Sequence, residues 1–395
     1  MVVHDTDLET HVPSDNEDTE LDPSLSEEQK EVLRKMKAIN RANELDSRSV
    51  SGTGSKRSAD SSDSFSNCEV VPSQLGDETE DLWEIWAYLV KSWETESKKQ
   101  AAMLKQLVRQ GIPCHFRTLA WQLLSNAKIE AAHEMYTEYM RGNSPHEKAI
   151  RRDISRTFPE HEFFRDITGA GQQSLFNVMK AYSLHDREVG YCQGSAFVVG
   201  LLLLQMPEEE AFAVLIQLME EYRFRELYKP AMTELGLCIF QLECLVQEFM
   251  PDLHTHFQNM GFDTSMYASS WFLTLFITQV SIDLASRIMD VFISEVSTFV
   301  LPILTPCEVR KGMDIIFRVA IAILQLCRVD LLKLDMEGML RYFQKEVPEK
   351  FVEDHELLMT TAYNVKYNPK KFKKLEKDYL NKRNKDQEEA VELRV

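Results

Sequence analysis

The sequence lacks any long hydrophobic segment. Its longest apolar run, residues 196–204, is far shorter than the roughly 20 residues that a membrane-spanning helix needs. The N-terminus has neither a basic start nor an apolar core, so we expect no signal peptide. These absences predict a cytoplasmic protein without a transmembrane segment.

Patterns typical of metal, nucleotide and nucleic-acid sites are also missing. None of the seven cysteines forms a C-x-x-C pair, and His254-x-His256 lacks further ligands at zinc spacing, so we predict no metal site. Gly169-Ala-Gly171 does not complete G-x-G-x-x-G, so the chain has no nucleotide-binding loop of its own. With 45 basic against 63 acidic residues, the chain is a poor match for nucleic acid. No nucleophile–base arrangement supports a hydrolase that acts on small molecules.

The first part of the chain is acidic and rich in serine. Residues 1–80 hold 19 acidic and 8 basic residues. We expect a disordered tail, because the segment can bury too little apolar surface to offset the conformational entropy that ordering would cost. Within this tail, the capping box at 26–29 and the apolar residues after it predict a short helix near 26–40. That helix is either transient or a docking element for a partner.

The second part, residues 82–364, has the periodicity of an all-α domain. A dense apolar stripe over 82–90 opens it, and no sustained strand alternation follows. Glycine and proline fall between the apolar segments, where helices end. Helical periodicity is clearest over 104–108, 118–124, 172–184, 196–205, 209–221, 236–249 and 269–278.

The third part, residues 365–395, predicts a charged helix. Phe372, Leu375 and Tyr379 share one face of it, which favours the start of a coiled coil and a homodimer formed through this helix. The seam covers few heptads, so a solvated helix is the alternative. Its basic run also suits contact with an anionic membrane surface.

One short block pairs an aspartate with an arginine. In Ile150-x-x-Asp153-x-x-Arg156, the spacing puts Asp153 and Arg156 on one face of a helical turn. The carboxylate can therefore hold the guanidinium in a fixed geometry. An arginine of this kind neutralises charge on a transferring phosphoryl group. A surface ion pair without chemistry is the alternative interpretation.

A second block places a glutamine between two glycines. Gln193 follows Tyr191 in a loop bracketed by Gly190 and Gly194, and glycines let backbone approach a partner closely. The apolar run at 196–204 predicts a buried helix that anchors this loop. A glutamine that orients the attacking water complements the arginine in accelerating a slow GTPase. Because the sequence has no nucleotide-binding loop of its own, the pair would act on another protein's GTP.

A third block, residues 111–121, precedes the other two and contains Arg117 and Trp121 four positions apart on one helix face. With all three blocks present in this order, the chain resembles the TBC family of Rab GTPase-activating proteins over roughly 105–345. Residues 181–194 and 266–274 resemble its ecotropic viral integration site branch. The resemblance implies a multi-helix TBC (Rab-GAP) domain over 82–364.

The resemblance also implies roles for individual residues. Arg156 and Gln193 would be catalytic fingers that enter the GTP site of the partner, and Arg117 and Trp121 would form a structural brace. Three residues would support the fingers: Asp153, Tyr191 and Ile150. Four would bind the partner: Arg151, Arg152, Gly190 and Gly194. For Tyr191 a packed aromatic is the alternative, and for Arg151 and Arg152 a solvated position.

The chain departs from the family pattern in its C-terminal half. The family runs from an acidic residue directly into a glycine, whereas here Glu295 is separated from Gly312 by residues 296–311. A surface loop is the simplest interpretation, since loop-closure entropy grows slowly with length. The apolar content of the segment argues against a comfortably solvated loop, and a splicing origin is the alternative.

The function that the resemblance implies is activation of a Rab-family GTPase in its GTP form, not an enzyme activity of the chain's own. The partner would carry Mg²⁺ and GTP, so no cofactor is expected here. The branch suggests a recycling-endosome Rab, roles in vesicle trafficking and the cell cycle, and cytoplasmic protein recruited peripherally to endosomal membranes, with cytoskeleton or centrosome as further locations. The alternative is a non-catalytic Rab-binding scaffold or effector.

Overall fold

Helices account for the regular structure throughout the residues that the computed structural model describes, which are 77–99, 101–222, 224–296 and 311–392. No strand occurs in these ranges, which confirms the all-α expectation. The helices are α1 Asp77–Lys91, α2 Trp93–Lys99, α3 Ala101–Gln110, α4 Cys114–Ser125, α5 Ile129–Arg141, α6 Glu147–Ile154, α7 Glu162–Arg165, α8 Ala170–His185, α9 Ser195–Leu203, α10 Glu208–Glu220, α11 Arg225–Tyr228, α12 Thr233–Phe249, α13 Pro251–Asn259, α14 Ser265–Thr274, α15 Ile282–Val296, α16 Lys311–Leu331, α17 Met336–Arg341, the π-helix Tyr342–Glu346, α18 Val347–Lys350, α19 His355–Asn364 and α20 Pro369–Glu392.

Two helix clusters form the core of the domain. In the first, α8 packs against α5, α6, α9 and α10, and in the second, α16 packs against α12, α15 and α19. Two further helices join the clusters. Helix α4 contacts α10 of the first cluster and α15 of the second, and α14 contacts α9 of the first and α16 of the second. Within the part of the chain that is described, no helix has both the length and the apolarity to cross a bilayer.

The apolar run at 196–204 forms the buried helix α9. Val198, Val199, Leu201 and Leu202 have no exposed surface, and Phe197 is the one residue of α9 that is not buried. Fully burying each such side chain contributes roughly 1.5–3 kcal/mol. The helix is therefore a rigid base for the loop that precedes it.

Helix α14 ends earlier than the periodicity predicts. The apolar pattern continues to Thr278, but the helix stops at Thr274, and Leu275 and Phe276 adopt positive φ angles of 49° and 64°. Left-handed backbone costs a residue with a side chain roughly 1–2 kcal/mol. Both side chains are buried, Phe276 against the ring of Trp271 at 5.2 Å, so core packing outweighs the local cost.

The C-terminal helix α20 packs on the domain itself. Phe372 contacts the ring of Phe317 at 5.0 Å, Tyr379 contacts Phe240 at 5.7 Å, and Leu375 is buried between them. The face that predicts a coiled coil is thus occupied within this chain. A homodimer through this helix stays a prediction.

Some expectations fall on residues outside the described ranges. These include the acidic tail up to residue 76 with its helix near 26–40, and residues 297–310 of the interrupting segment. The ends of that segment, Val296 and Lys311, are the last residue of α15 and the first of α16. Helices α15 and α16 pack directly against each other.

Candidate functional site

Arg156 lies in the turn that follows α6 and is held by Asp153. The backbone NH of Arg156 donates to the Asp153 carbonyl at 3.1 Å, and its guanidinium donates to Asp153 Oδ1. Thr157 Oγ1 donates to the same carbonyl at 3.0 Å. The Asp153 side chain is 6% exposed, whereas that of Arg156 is 54% exposed. The guanidinium is therefore anchored on one side and open to solvent on the other.

Asp153 also joins the arginine turn to the glutamine loop. The hydroxyl of Tyr191 donates to Asp153 Oδ2 at 2.6 Å, so each carboxylate oxygen accepts one side-chain donor. Burial and this hydrogen bond raise the pKa of Tyr191 well above its ordinary value, which keeps the hydroxyl a donor. Two blocks that are far apart in sequence thus meet at one buried carboxylate.

The glutamine loop depends on its glycines. Gly190 has a φ of +58°, and a Cβ there would lie 2.4 Å from Nε2 of His146. Gly194 has a φ of +102° and immediately precedes α9. A side chain at either position would distort the loop. Gln193 itself is exposed.

Cys192, beside Gln193, has the properties of a packed thiol. Burial raises its pKa to about 11, so the thiol is protonated near neutral pH. Ser195 Oγ donates to the Cys192 carbonyl at 2.7 Å and closes the loop onto the start of α9. Nothing in this geometry activates Cys192 as a nucleophile.

The arginine turn and the glutamine loop open into one cavity of about 370 Å³. Residues of α14 and of the segment after it also line the cavity, although the sequence did not single them out as part of a site. The lining residues are Asp153, Arg156, Thr157, Tyr191, Gln193, Gly194, Ala196, Phe197, Ser270, Leu273, Thr274 and Thr278. The cavity is therefore lined by both a cationic and an amide side chain, Arg156 and Gln193.

The other predicted site residues do not line this cavity. Ile150 is fully buried, Arg152 is exposed, and Arg151 lies over the ring of Phe176 at 3.8 Å. Stacking on an aromatic face holds the Arg151 guanidinium while leaving its edge available.

Arg117 and Trp121 meet at a residue that sequence reasoning missed, Asp290 in α15. Arg117 donates to both carboxylate oxygens, at 3.0 and 3.2 Å, and Trp121 Nε1 donates to Oδ1 at 2.7 Å. Asp290 has no exposed surface. A lone acid within the otherwise apolar stretch 288–293 was the available signal, because a charge at a core position needs a partner.

A second missed group is the ion pair between Asp186 and Arg225. Asp186 immediately follows α8 and Arg225 begins α11, and Arg225 Nε lies 2.7 Å from Asp186 Oδ2. Local patterns gave no indication that these two residues meet. His256, half of the weak metal candidate, instead contacts the backbone carbonyl of Leu334 at 2.8 Å.

Comparison with known proteins identifies the family. Residues 114–332 match the family model described as the Rab-GTPase-TBC domain. The chain belongs to this family. It is 58% identical over 364 residues to the Rab GTPase-activating protein eat-17 of Caenorhabditis elegans, which covers 92% of the chain and 39% of that relative. It is 50% identical over 371 residues to the human ecotropic viral integration site 5 protein homolog, covering 94% of the chain and 44% of that relative.

These relatives confirm the branch resemblance, and the chain spans less than half of their length. Among solved structures, the Chlamydomonas flagellar RabGAP TBC domain superposes with a TM-score of 0.57 at 25% identity, covering 74% of this chain and 96% of that one. The TBC fold predicted from the three blocks is therefore confirmed.

Proposed function

We propose that this TBC domain accelerates GTP hydrolysis by a Rab-family GTPase, with Arg156 and Gln193 as two fingers. One observation carries the proposal: Asp153 binds both Arg156 and Tyr191, and the arginine and glutamine line one cavity. Neither residue alone would distinguish a GTPase activator from a protein with a surface ion pair. The convergence of the arginine turn and the glutamine loop at one buried carboxylate favours the activator.

The chemistry follows from what each side chain can still offer. A guanidinium has five N–H donors, and Asp153 occupies only one nitrogen of Arg156, so donors remain for phosphoryl oxygens. Gln193 has both a donor and an acceptor and can orient the attacking water. The partner GTPase supplies Mg²⁺ and GTP. An arginine finger contributes roughly 10³–10⁵ in rate.

The surroundings of the fingers suit a protein partner. Arg151 and Arg152 are exposed one helical turn from Arg156, where they can meet acidic groups of the GTPase. Ser270, Leu273 and Thr274 of α14 line the same cavity and would also contact the partner.

The choice of Rab and the cellular location are further parts of the proposal. The branch relatives suggest a recycling-endosome Rab and work in vesicle trafficking. Recruitment of a cytoplasmic domain to endosomal membranes would then come from the membrane-bound Rab.

The proposal is tested by single-turnover GTP hydrolysis with a panel of purified Rabs. We expect at least one Rab to be accelerated, and Arg156→Ala to reduce that acceleration about 1000-fold. Gln193→Ala should reduce it roughly 100-fold, the scale of one positioned group that handles the water. Binding of the GTP form without any acceleration would instead favour the non-catalytic scaffold.

Matched controls come from exposed residues elsewhere in the domain. Arg341, an exposed arginine paired with Glu337 at 3.1 Å, is the control for Arg156, and the exposed Gln173 is the control for Gln193. Alanine at either control should leave the rate unchanged. Acceleration that survives both finger substitutions would rule out the two-finger mechanism.

A further inference from the structure

The turn that leads into the glutamine loop is organised around Asp186. Its carboxylate accepts the backbone NH groups of Glu188 at 3.1 Å and Val189 at 3.2 Å. Its carbonyl accepts the NH of Gly190 at 2.7 Å. One residue thus fixes the backbone of the next four positions, ending at the glycine whose positive φ redirects the chain toward Gln193.

Asp186 is held in turn by Arg225 of α11. Arg225 Nε donates to Oδ2 at 2.7 Å and its terminal NH donates to Oδ1 at 3.0 Å, a fork-to-fork pair. The Asp186 side chain is 9% exposed and the Arg225 side chain is 23% exposed, so solvent screens this pair less than it screens a surface salt bridge. Tyr182 adds a third side-chain donor at 3.1 Å. Bidentate pairs of this kind fix geometry as well as adding energy.

The pair has supporting contacts that brace it from the side of α11. Arg225 also donates to Glu188 at 2.8 Å, and Lys229 lies 3.4 Å from Glu188 and 3.0 Å from Glu226. Burial alone would raise the pKa of Asp186, yet the bonds from Arg225 and the Val189 amide hold that pKa below its usual range. The carboxylate is therefore charged near neutral pH.

The glutamine loop consequently has two anchors. Tyr191 ties its finger side to Asp153, and Asp186 ties its entrance to Arg225. Only two residues lie between Gly190 and Gln193, so a shift in the entrance turn displaces the Gln193 amide directly. A displacement of about 1 Å in a reacting group can cost 100-fold in rate.

We propose that Asp186 and Arg225 are positioning residues for Gln193, acting through the turn at 186–190. The inference rests on the proposed function, because it assigns Gln193 a place in the GTP site. Neither residue lines the cavity, so their effect reaches the reaction through the loop.

The test is a double-substitution cycle in single-turnover GTP hydrolysis. Arg225→Met should reduce the maximal rate roughly 10- to 100-fold with little change in the concentration for half-maximal acceleration. In the Gln193→Ala background the same change should alter the rate less than twofold, because the group being positioned is gone. Arg225→Lys keeps the positive charge but loses the two-pronged hydrogen bonding, so its maximal rate should lie between those of the wild type and Arg225→Met. An equal loss in both backgrounds would overturn the proposal.

Hydrogen exchange provides a readout that needs no GTPase. Arg225→Met should speed exchange at the amides of Val189 and Gly190, while Arg328→Met, which removes an exposed ion pair with Asp252 elsewhere in the domain, should not. Unchanged exchange at 189–190 would refute the positioning role. If wild-type protein accelerates no Rab, the proposed function fails by itself, and the exchange result still shows whether Arg225 holds the loop.

Discussion

Asp290 and Asp153 are both buried, and each accepts hydrogen bonds from one arginine and one aromatic side chain, yet the two arginines lie in opposite environments. Arg117, on Asp290, has a side chain that is 9% exposed, and Arg156, on Asp153, has one that is 54% exposed. The Arg117 guanidinium donates its hydrogen bonds to the Asp290 carboxylate and to the carbonyl of Ile112. The Arg156 guanidinium keeps donors directed to solvent.

The difference teaches how one interaction serves two purposes. Around Asp290, helices α4 and α15 are joined, and the arrangement is closed on every side. Around Asp153, a turn and a loop are joined, and a cavity remains between them and α14. Exposure of the arginine, and not the strength of its ion pair, separates a brace from a candidate finger.

Arg117→Ala should produce the largest change in stability. It leaves Asp290 buried without its counter-charge, which typically costs about 3–5 kcal/mol. Urea unfolding measures this cost, with Arg328→Ala as the control because that exposed pair should contribute less than about 1 kcal/mol. The hydrolysis rate per folded molecule should be unchanged. Equal costs for the two variants would show that Asp290 and Arg117 are not a brace.

Local sequence predicts those parts of the site that depend on neighbours along the chain. The three-residue spacing of Asp153 and Arg156 predicted their pairing, and the apolar run predicted the buried α9. The Tyr191–Asp153 bond was not predictable in this way, because it depends on how α6 packs beside the loop before α9. Asp290 and Arg225 were missed for the same reason, since their partners are distant in sequence.

The errors in helix boundaries have a similar cause. At Leu275 the apolar pattern continues, but the packing of buried side chains imposes a left-handed turn that no local propensity favours. The apolar seam of α20 was correctly seen in Phe372 and Leu375. Only the structure shows that this seam faces the domain's own helices.

Glu295 extends the comparison to a buried acid with weaker pairing. Its carboxylate is 3.7 Å from Arg109, and its Oε2 accepts no hydrogen bond from any described residue. Burial, with Asp314 nearby, raises the pKa of Glu295 to about 7 despite the charges of Arg109, Arg318 and Lys105. The folded state therefore binds a proton that the unfolded state releases near pH 4.5.

The sign of the pH effect follows directly. Because the folded pKa is raised, the stability falls as pH increases from about 4.5 through 7 and then levels off. Glu295→Gln should remove this dependence, raising stability at pH 8 by up to about 3 kcal/mol and changing little at pH 4. Urea unfolding at both pH values measures it. A variant that is destabilised at pH 8 would show that the charged form makes a favourable contact.

Tyr191→Phe should have the smallest effect and tests the bond that joins the glutamine loop to Asp153. It removes one donor from Asp153 and preserves the ring, so the stability should fall by about 1–3 kcal/mol. Because Arg156 and the glutamine loop then lose their common anchor, the hydrolysis rate should fall about tenfold, an amount equivalent to ~1.4 kcal/mol. Tyr342→Phe, which removes a tyrosine bond to Asp330 at 3.0 Å, is the matched control and should leave the rate unchanged. A rate loss with no loss of stability would mean that the Tyr191 hydroxyl contacts the partner directly, and an unchanged rate would show that Asp153 alone suffices to hold the arginine.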